Sequence, residues 1–441
     1  MTFVTNGSDF PNNCKAELAA CWNAPLNWRA GQTSLMIFFR VGSACCLQAV
    51  ACAKTSVSSD AAPAKSEETM LRQEQDDMIR AAQPDGPLEN FINRDFYEEW
   101  QRREGVRVIR DFAFEDLRKV EFGPWPRKGG SGAIITIPND VLKNDAHLIE
   151  IAPGGKSEPE RHLYEETVYI LSGRGASRIW YDGQEPETVE WQAGSLFAIP
   201  LNAWYQHFNV ASEPTRYIAV TTLPPLLRFF KDPDFIFNNP CKFPARFGGQ
   251  KDYFGTGKLY NRRVWETNFV PNAPDMGLYG YAERGAGGNN VVLEMAGNST
   301  RPAISEFPVG TYKKAHRHGP GAHLVILNGV GFSLLWTKPD MSDVRKCDWR
   351  EGGMVIVPSD DCIHQHFNTG TTRARYLAFH PGQMGTRKPR PGGYMSGVSE
   401  KEGGWQIEYE DQNPMVNEIF EAELAKNGSH SRMAKFFSKM S

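Results

Sequence analysis

The sequence predicts an all-β protein made of two tandem jelly-roll barrels, with a few peripheral helices and a disordered N-terminal extension. The first observation is that short β-rich runs, separated by Gly, Pro and Asn, follow one another from about residue 130 to about residue 395. The second is an internal repeat, which indicates that one barrel pattern occurs twice. Jelly rolls suit short, evenly spaced strands because they protect sheet edges by folding one sheet over another.

The composition is that of a globular protein, and its charge leads us to expect a small-molecule ligand. The chain has 441 residues, of which 40% are hydrophobic, so it can bury a large core. Its formal net charge of -3 offers no basic surface to nucleic acid or to an anionic membrane, and we expect neither as a partner. Five of the eight cysteines precede residue 53, which is no disulfide framework and fits a reducing, cytoplasmic compartment.

Residues 1–69 lack periodicity and are predicted to be the disordered extension. They end in the polar stretch TSVSSDAAPAKSEE, which is typical of a linker. The apolar stretch LMIFFRVGSACCLQAVACA could be a membrane or targeting signal, but Arg40 interrupts it, and Asp9 and Glu17 precede it. We therefore favour an extension without a targeting role.

Two helices are expected outside the barrels. Four apolar residues spaced four apart, from Leu88 to Trp100, predict an amphipathic helix that Gly105 ends and that docks on the barrels. The stretch NPMVNEIFEAELAKNG near the C-terminus predicts a second helix, which begins after Asn413 and ends at Gly428.

These features divide the chain into six segments. The boundaries follow the two helices and the two copies of the repeat. We assign a disordered extension (1–69), a docking helix and arm (70–129), barrel 1 (130–235), a connector (236–284), barrel 2 (285–395) and a C-terminal tail with a helix (396–441).

The repeat is visible in residues that form turns. Several of these residues in the first half recur 156 to 159 positions later, and YQHFN at 205–209 recurs as HQHFN at 364–368. The matched pairs are Gly154 and Gly310, His162 and His318, Gly173 and Gly329, Gly194 and Gly352, Pro200 and Pro358, and Asn209 and Asn368.

Both halves resemble the cupin superfamily, whose first motif is G-x5-H-x-H-x3(4)-E-x6-G and whose second is G-x5-P-x-G-x2-H-x3-N. The first half reads Gly154-x5-Glu160-x-His162-x3-Glu166-x6-Gly173, then Gly194-x5-Pro200 and Tyr205-x3-Asn209. The second half reads Gly310-x5-His316-x-His318-x3-Ala322-x6-Gly329, then Gly352-x5-Pro358 and His364-x3-Asn368. The resemblance implies a bicupin. Glu160 and Tyr205 stand where the family has histidines, and Ala322 stands where it has glutamate.

The second half has the stronger predicted metal site. His316 and His318 share one face of a strand, and His364 would face them from the opposite strand. Three neutral imidazoles leave coordination positions open for substrate and oxygen. The set, including the sequence AHRH, is similar to that of gentisate-type and thiol-type cupin dioxygenases, which implies iron(II); manganese, zinc and nickel are the alternatives.

Two further histidines are candidate catalytic residues. His366 lies two residues past His364, on the same strand face, where it could act as an acid or base. Its alternative role is a hydrogen-bonded residue of the barrel. His323 replaces the family glutamate as a fourth ligand if the Gly-Pro-Gly turn is one residue longer, whereas strict spacing to Gly329 sends it to the outer face.

The first half could hold a second metal. His162, Glu166 and His207 provide the nitrogen and oxygen ligands of a mixed site, together with Glu160 or Tyr205. Two of the four family positions have nevertheless changed. The alternative is a barrel that is kept for its fold and for packing against the other one.

The sequence therefore predicts an iron(II) dioxygenase that acts on a small organic substrate at barrel 2, with dioxygen as the second substrate. Trp336 or Tyr376 could stack on a ring of the substrate. The candidate anchors for a substrate carboxylate are the cations near that site: Lys313, Lys314, Arg317, Arg373 and Arg375. The alternatives are a metal-dependent lyase, decarboxylase or isomerase, and a non-enzymatic binding or storage protein. Exposed sheets of jelly-roll pairs lead us to expect a homo-oligomer.

Overall fold

The structure is a computed structural model that describes residues 39–41, 47–49, 95–138, 143–248, 250, 252–261, 263–318, 321–359, 362–381 and 397–437. The chain divides into two compact units, Met1–Pro87 and Leu88–Ser441. In the first unit, β1 (Phe39–Val41) pairs antiparallel with β2 (Leu47–Ala49). The rest of the predicted extension lies outside the described residues. No described helix is long and apolar enough to cross a membrane.

The second unit begins with a helix and three arm strands. Asp95 caps α1 (Phe96–Glu104), and Gly105 ends it in the left-handed conformation. The hydroxyl of Tyr97 donates a 2.5 Å hydrogen bond to Asp145 of barrel 1, which docks the helix as predicted. Leu88 and Ile92, which the sequence placed on this helix, lie outside the described residues. The arm strands are β3 (Arg107–Arg110), β4 (Ala113–Phe114) and β5 (Gly123–Trp125).

Barrel 1 consists of eight antiparallel strands in two facing sheets. The larger sheet has the order β11-β8-β13-β7-β6, and the smaller has the order β10-β9-β12. The strands are β6 (Gly130–Thr136), β7 (Asp145–Ile151), β8 (Glu166–Ser172), β9 (Arg174–Trp180), β10 (Glu187–Gln192), β11 (Leu196–Ile199), β12 (Trp204–Asn209) and β13 (Thr215–Thr221).

A connector of short elements leads to the second barrel. Two helices come first, and four short strands follow them. They are α2 (Leu223–Phe230), α3 (Pro233–Phe237), β14 (Lys258–Asn261), β15 (Val264–Glu266), β16 (Phe269–Val270) and β17 (Tyr279–Gly280).

Barrel 2 repeats the plan of barrel 1. Its larger sheet contains β18-β19-β27-β22-β25, and its smaller sheet contains β24-β23-β26-β21-β28, with β20 also paired to β26. The strands are β18 (Asn289–Glu294), β19 (Arg301–Phe307), β20 (Thr311–Tyr312), β21 (Ala315–His316), β22 (Ala322–Asn328), β23 (Val330–Trp336), β24 (Arg345–Arg350), β25 (Met354–Val357), β26 (Ile363–Asn368), β27 (Ala374–His380) and β28 (Gln406–Ile407). The predicted all-β fold of two jelly-roll barrels is confirmed.

The C-terminal tail ends in α4 (Met415–Lys426) and α5 (Ala434–Phe437). Three apolar residues of α4 are buried against the smaller sheet of barrel 2: Val416, Phe420 and Leu424. The helix predicted in this tail is therefore present, and it covers one face of the second barrel.

Each barrel has the same close contact at a glycine. A Cβ at Gly175 would lie 2.0 Å from the carbonyl oxygen of Phe208 and 2.3 Å from the Trp191 ring. At Gly331, 156 residues later, the corresponding distances to Phe367 and Trp349 are 1.9 Å and 2.5 Å. Only glycine fits where strand and tryptophan meet so closely, which explains why both copies carry it.

The two barrels pack through their larger sheets. One buried apolar cluster contains Leu148 and Ile218 from barrel 1 together with Val325 and Leu377 from barrel 2. Side chains at odd-numbered positions of β22 therefore face the other barrel, while Ala322, Leu324 and Ile326 face the interior of barrel 2. This alternation decides which side chains can reach the site described next.

One arm strand and one connector strand pair with the opposite barrel. β4, which precedes barrel 1, pairs with β25 of barrel 2, and β16, which precedes barrel 2, pairs with β11 of barrel 1. These two strands, β4 and β16, are 156 residues apart in the chain. Each barrel therefore completes its larger sheet with a strand that precedes the other barrel.

Candidate metal centre

Three predicted histidines meet inside barrel 2. His316 of β21 is the direct antiparallel partner of His364 of β26, and His318 lies two residues further along. The ring centroids are 4.0 Å apart for His316 and His364, 4.6 Å for His318 and His364, and 5.4 Å for His316 and His318. One nitrogen from each ring lies within 4.8 Å of the other two, so the three could bind one ion together.

The C-terminal tail holds this short strand in place. β21 lies between β26 and β28, where His316 pairs with Gln406. The Arg317 amide donates a 3.1 Å hydrogen bond to the carbonyl of Trp405, and the Gly321 amide donates a 3.2 Å bond to that of His318. Backbone bonds on both sides of the histidines therefore fix the direction of the imidazoles.

The histidines are in the form that a metal requires. Burial, followed by the Arg284 charge, holds the pKa of His316 well below its ordinary value, and burial does the same for His318 and His364. The rings are therefore neutral, which is the ligating form. His316 donates from Nδ1 to the carbonyl of Lys314 at 3.3 Å, which leaves Nε2 for an ion. Nδ1 of His318 and of His364 is buried without a hydrogen-bond partner. The residues present fit a divalent metal.

His366, the predicted catalytic histidine, lies beside the ligands. Its ring centroid is 5.3 Å from that of His364 and 5.1 Å from that of Tyr376. Its Nδ1 is hydrogen-bonded to Ser333 at 2.8 Å, and Trp349 donates to the same hydroxyl at 3.1 Å. These bonds fix the ring in the wall of the site.

The structure adds two groups that we did not predict. The His380 ring lies 4.8 Å from that of His318, at the end of β27. Arg284, just before barrel 2, is among the charges that lower the pKa values of His316, His318 and His364.

Lys313 is the candidate anchor that points into the barrel. It is only 2% exposed, and its Nζ lies 5.0 Å from the Tyr376 ring and 5.4 Å from the Phe307 ring. Burial, followed by the Arg284 charge, lowers the pKa of Lys313 to about 7. The other candidate cations form ion pairs with acids: Lys314 with Glu408, Arg317 with Glu400, and Arg373 and Arg375 with Glu306.

His323 does not join the three ligands. It has the same parity on β22 as Val325, so it faces the other barrel, and both of its ring nitrogens are buried without a partner. Ala322 takes the interior position instead. The strict spacing to Gly329 therefore applies, and the prediction of a catalytic or ligating His323 needs correction.

In barrel 1, the predicted ligands are not grouped in this way. Among the described residues, His316, His318 and His364 form the one cluster of three whose ligand atoms come so close. His162 Nε2 lies 3.1 Å from Glu166, but the Nδ1 of His207 is hydrogen-bonded to Ser177 at 2.6 Å. Trp191 donates to the same Ser177 hydroxyl. His207 thus has the setting that Ser333 and Trp349 give His366, to which it corresponds by the repeat offset of 159. Because it matches a wall residue of barrel 2 and not one of the three clustered histidines, its predicted place in a second metal site needs correction.

Fold and site together define a two-barrel jelly-roll protein with one buried cluster of three histidines among its described residues. Residues 147–221 match the family described as Cupin domain. The eight strands of barrel 1 recur in the same sheet order in barrel 2, so the chain carries two barrels of the cupin fold.

Known structures of similar shape include two oxalate decarboxylases. The chain is 13% identical to the Bacillus subtilis enzyme at pH 4.6, covering 62% of this chain and 77% of that one, with a TM-score of 0.42. It is 12% identical to the Lactobacillus farciminis enzyme in its formate complex, covering 63% and 87%, with a TM-score of 0.42. No curated protein matches the chain.

Proposed function

We propose that barrel 2 is the active site of a metal-dependent enzyme that acts on a small carboxylate substrate. The observation that carries this proposal is the charge of the site. Its three ligands are neutral, Ala322 stands where barrel 1 has Glu166, and Lys313 points inward beside them. A divalent ion there would keep its full charge, so a buried anion is the complementary ligand.

The first candidate reaction is cleavage of a carboxylate substrate without net oxidation, as in a decarboxylase or other lyase. A bound divalent ion supplies Lewis-acid polarisation of the chelating carboxylate. Lys313 supplies proton transfer, because a buried amine whose pKa is about 7 exchanges its proton near neutral pH. Its position over Tyr376, in the same wall as His366, directs the amine toward the substrate space.

The second candidate is the dioxygenase that the sequence predicts. The observation that favours it is the ligand set, since three neutral imidazoles leave several positions open for a chelating substrate and dioxygen. Iron(II) would supply the oxygen chemistry in that case, whereas manganese, zinc or nickel would suit the first candidate. A binding or storage protein would hold the ligand without converting it.

The test is turnover of a panel of small mono- and dicarboxylates, oxalate included, with and without oxygen. The protein is reloaded in turn with iron(II), manganese, zinc or nickel. Product formation that continues under nitrogen supports the lyase, and oxygen uptake matched to product supports the dioxygenase. Binding without product in every metal form would support the storage function instead.

Lys314→Met is the matched control for Lys313→Met in this test. Lys314 is the next residue in the chain, but its amine pairs with Glu408. Loss of turnover in both variants alike would contradict the role of Lys313.

A further inference from the structure

The interior of barrel 1 has a counterpart to each position of the metal centre. Residues 160, 162, 166 and 205 correspond, by offsets of 156 and 159, to residues 316, 318, 322 and 364. Glu160 forms an antiparallel bridge with Tyr205, as His316 does with His364. The backbone thus places these four residues of barrel 1 at the positions that hold the three histidines and Ala322 in barrel 2.

The side chain of Lys128 enters this group. Its Nζ donates to Glu160 in a very short contact, lies 3.2 Å from the Tyr205 hydroxyl and 3.9 Å from Glu166. Lys128 is 1% exposed. Three of the four matched positions of barrel 1 therefore lie around one ammonium ion.

The remaining contacts close the group around this ammonium. His162 Nε2 lies 3.1 Å from Glu166 and 3.3 Å from the Tyr205 hydroxyl, and that hydroxyl donates a 2.5 Å hydrogen bond to Glu160. Burial lowers the pKa of Lys128, but the charges of Glu160 and Glu166 outweigh it and raise the pKa above its ordinary value. The amine is therefore charged at neutral pH.

We propose that the Lys128 ammonium takes the place of a metal ion in barrel 1, so that this barrel binds no divalent cation. One positive charge already lies between the two buried carboxylates. A divalent ion at the same place would meet a like charge at contact distance in a low-dielectric interior, where repulsion is strong. The side chains of barrel 1 therefore do not fit a divalent metal ion while Lys128 is present.

The path of the chain explains how Lys128 reaches the interior. It ends a short 3₁₀ turn, Pro126–Lys128, which Gly129 closes with a φ of 66°. A Cβ on Gly129 would lie 2.6 Å from the amide nitrogen of Glu158, so the turn packs against the segment that leads to Glu160. Residue 129 therefore has to be glycine for the lysine to enter here.

Removing the ammonium should expose a latent cation site. Glu160 Oε2 and Glu166 Oε1 are buried and have no hydrogen-bond partner. Together with the His162 imidazole and the Tyr205 hydroxyl they form a mixed oxygen and nitrogen set, which suits manganese or cobalt. Lys128→Met keeps an unbranched side chain, removes its charge and leaves the position of Nζ empty.

The experiment counts metal ions per chain after chelator treatment and reloading with Mn²⁺ or Co²⁺ alone. We expect about one ion in the wild type and about two in Lys128→Met. Lys119→Met, in which a lysine whose side chain is 80% exposed is changed, should keep the wild-type value. The additional ion should be lost on adding Glu166→Gln and kept on adding His318→Ala.

A second measurement uses variants that retain Lys128. His318→Ala should hold no ion and show no Mn²⁺-dependent rise in melting temperature. An ion that remains in His318→Ala and disappears with Glu166→Gln would overturn the proposal, whether or not Lys128→Met folds. A folded Lys128→Met chain that gains no ion would overturn it as well. Neither result depends on the reaction that barrel 2 performs.

Discussion

The two barrels share a backbone plan and differ in the charge of the side chains that point inward. Barrel 1 surrounds an ammonium with two carboxylates, an imidazole and a phenol, whereas barrel 2 offers three imidazoles and no carboxylate among the described positions. The repeat also includes a basic residue next to each interior, because Lys128 and Arg284 are 156 residues apart and each is followed by a glycine. Barrel 1 supplies the cation that lies between its carboxylates, whereas we propose that barrel 2 takes a cation and an anion from outside.

The largest expected effect tests this contrast at equivalent histidines. His318→Ala should remove essentially all bound metal and turnover, because two imidazoles hold a divalent ion far less tightly than three. His162→Ala, at the matching position of barrel 1, should leave both unchanged. Elemental analysis and turnover of the two purified variants check this. Equal metal loss in both variants would show that the barrels are alike.

The next effect concerns stability. Glu166→Gln leaves the buried Lys128 with one carboxylate, which should lower the free energy of unfolding by about 3 kcal/mol. Burial alone would raise the pKa of Glu166, but Lys128 and His162 hold it well below its ordinary value. Its stabilising contribution is therefore present above the ordinary glutamate range and decreases as the pH falls below about 4.

Urea denaturation at pH 7 and at about pH 3, which lies below the ordinary glutamate pKa, measures this effect. Glu158→Gln, which changes an exposed carboxylate nearby, is the control and should unfold like the wild type. Wild-type stability in Glu166→Gln at pH 7 would show that the ammonium does not depend on this carboxylate.

Lys313→Met should separate stability from function. The folded pKa of Lys313 is about 7, below the unfolded value of about 10.4, so the buried charge opposes folding most below pH 7 and less as the pH rises. Removing the amine should therefore raise the free energy of unfolding at pH 7 by about 2 kcal/mol. The gain should shrink toward pH 10, while turnover falls about 100-fold.

Chemical denaturation at pH 7 and pH 9.5, together with turnover, checks both parts of this prediction. A variant that is less stable than the wild type at pH 7 would mean that the amine has an anionic partner in the folded protein.

The smallest effect is expected at His323. His323→Leu replaces a buried imidazole that has no hydrogen-bond partner, so the free energy of unfolding should stay within about 1 kcal/mol of the wild type and the metal content should not change. Thermal unfolding and elemental analysis measure the two quantities. A loss of metal would place His323 in the site after all.

Strand alternation and the family spacing were enough to predict that the three histidines of barrel 2 meet. His316 and His364 lie on the paired strands β21 and β26, and His318 follows β21 by two residues. The same rule left His323 open, because the length of a turn does not follow from alternation. Pairing of β22 with β25 settles it by placing Ala322 in the interior.

Lys128 and Arg284 could not be found by that rule. Both lie in 3₁₀ turns outside the motifs, and a long side chain from a turn reaches a site only through the tertiary path. The signal that could have found them is the repeat itself, since its offset relates the two residues. Homo-oligomer formation, the cytoplasmic location and the exact segment boundaries stay predictions.

The exchange of β4 and β16 between the halves makes the chain resemble a domain-swapped dimer whose two subunits are joined in one polypeptide. β4 and β16 each complete a sheet in the opposite half, so neither half can present a finished sheet edge alone. Such reciprocal exchange couples the two halves in folding, and we expect one cooperative unfolding transition in place of two. The segment that precedes barrel 1 thus contributes to barrel 2 by supplying a strand at the edge of its larger sheet.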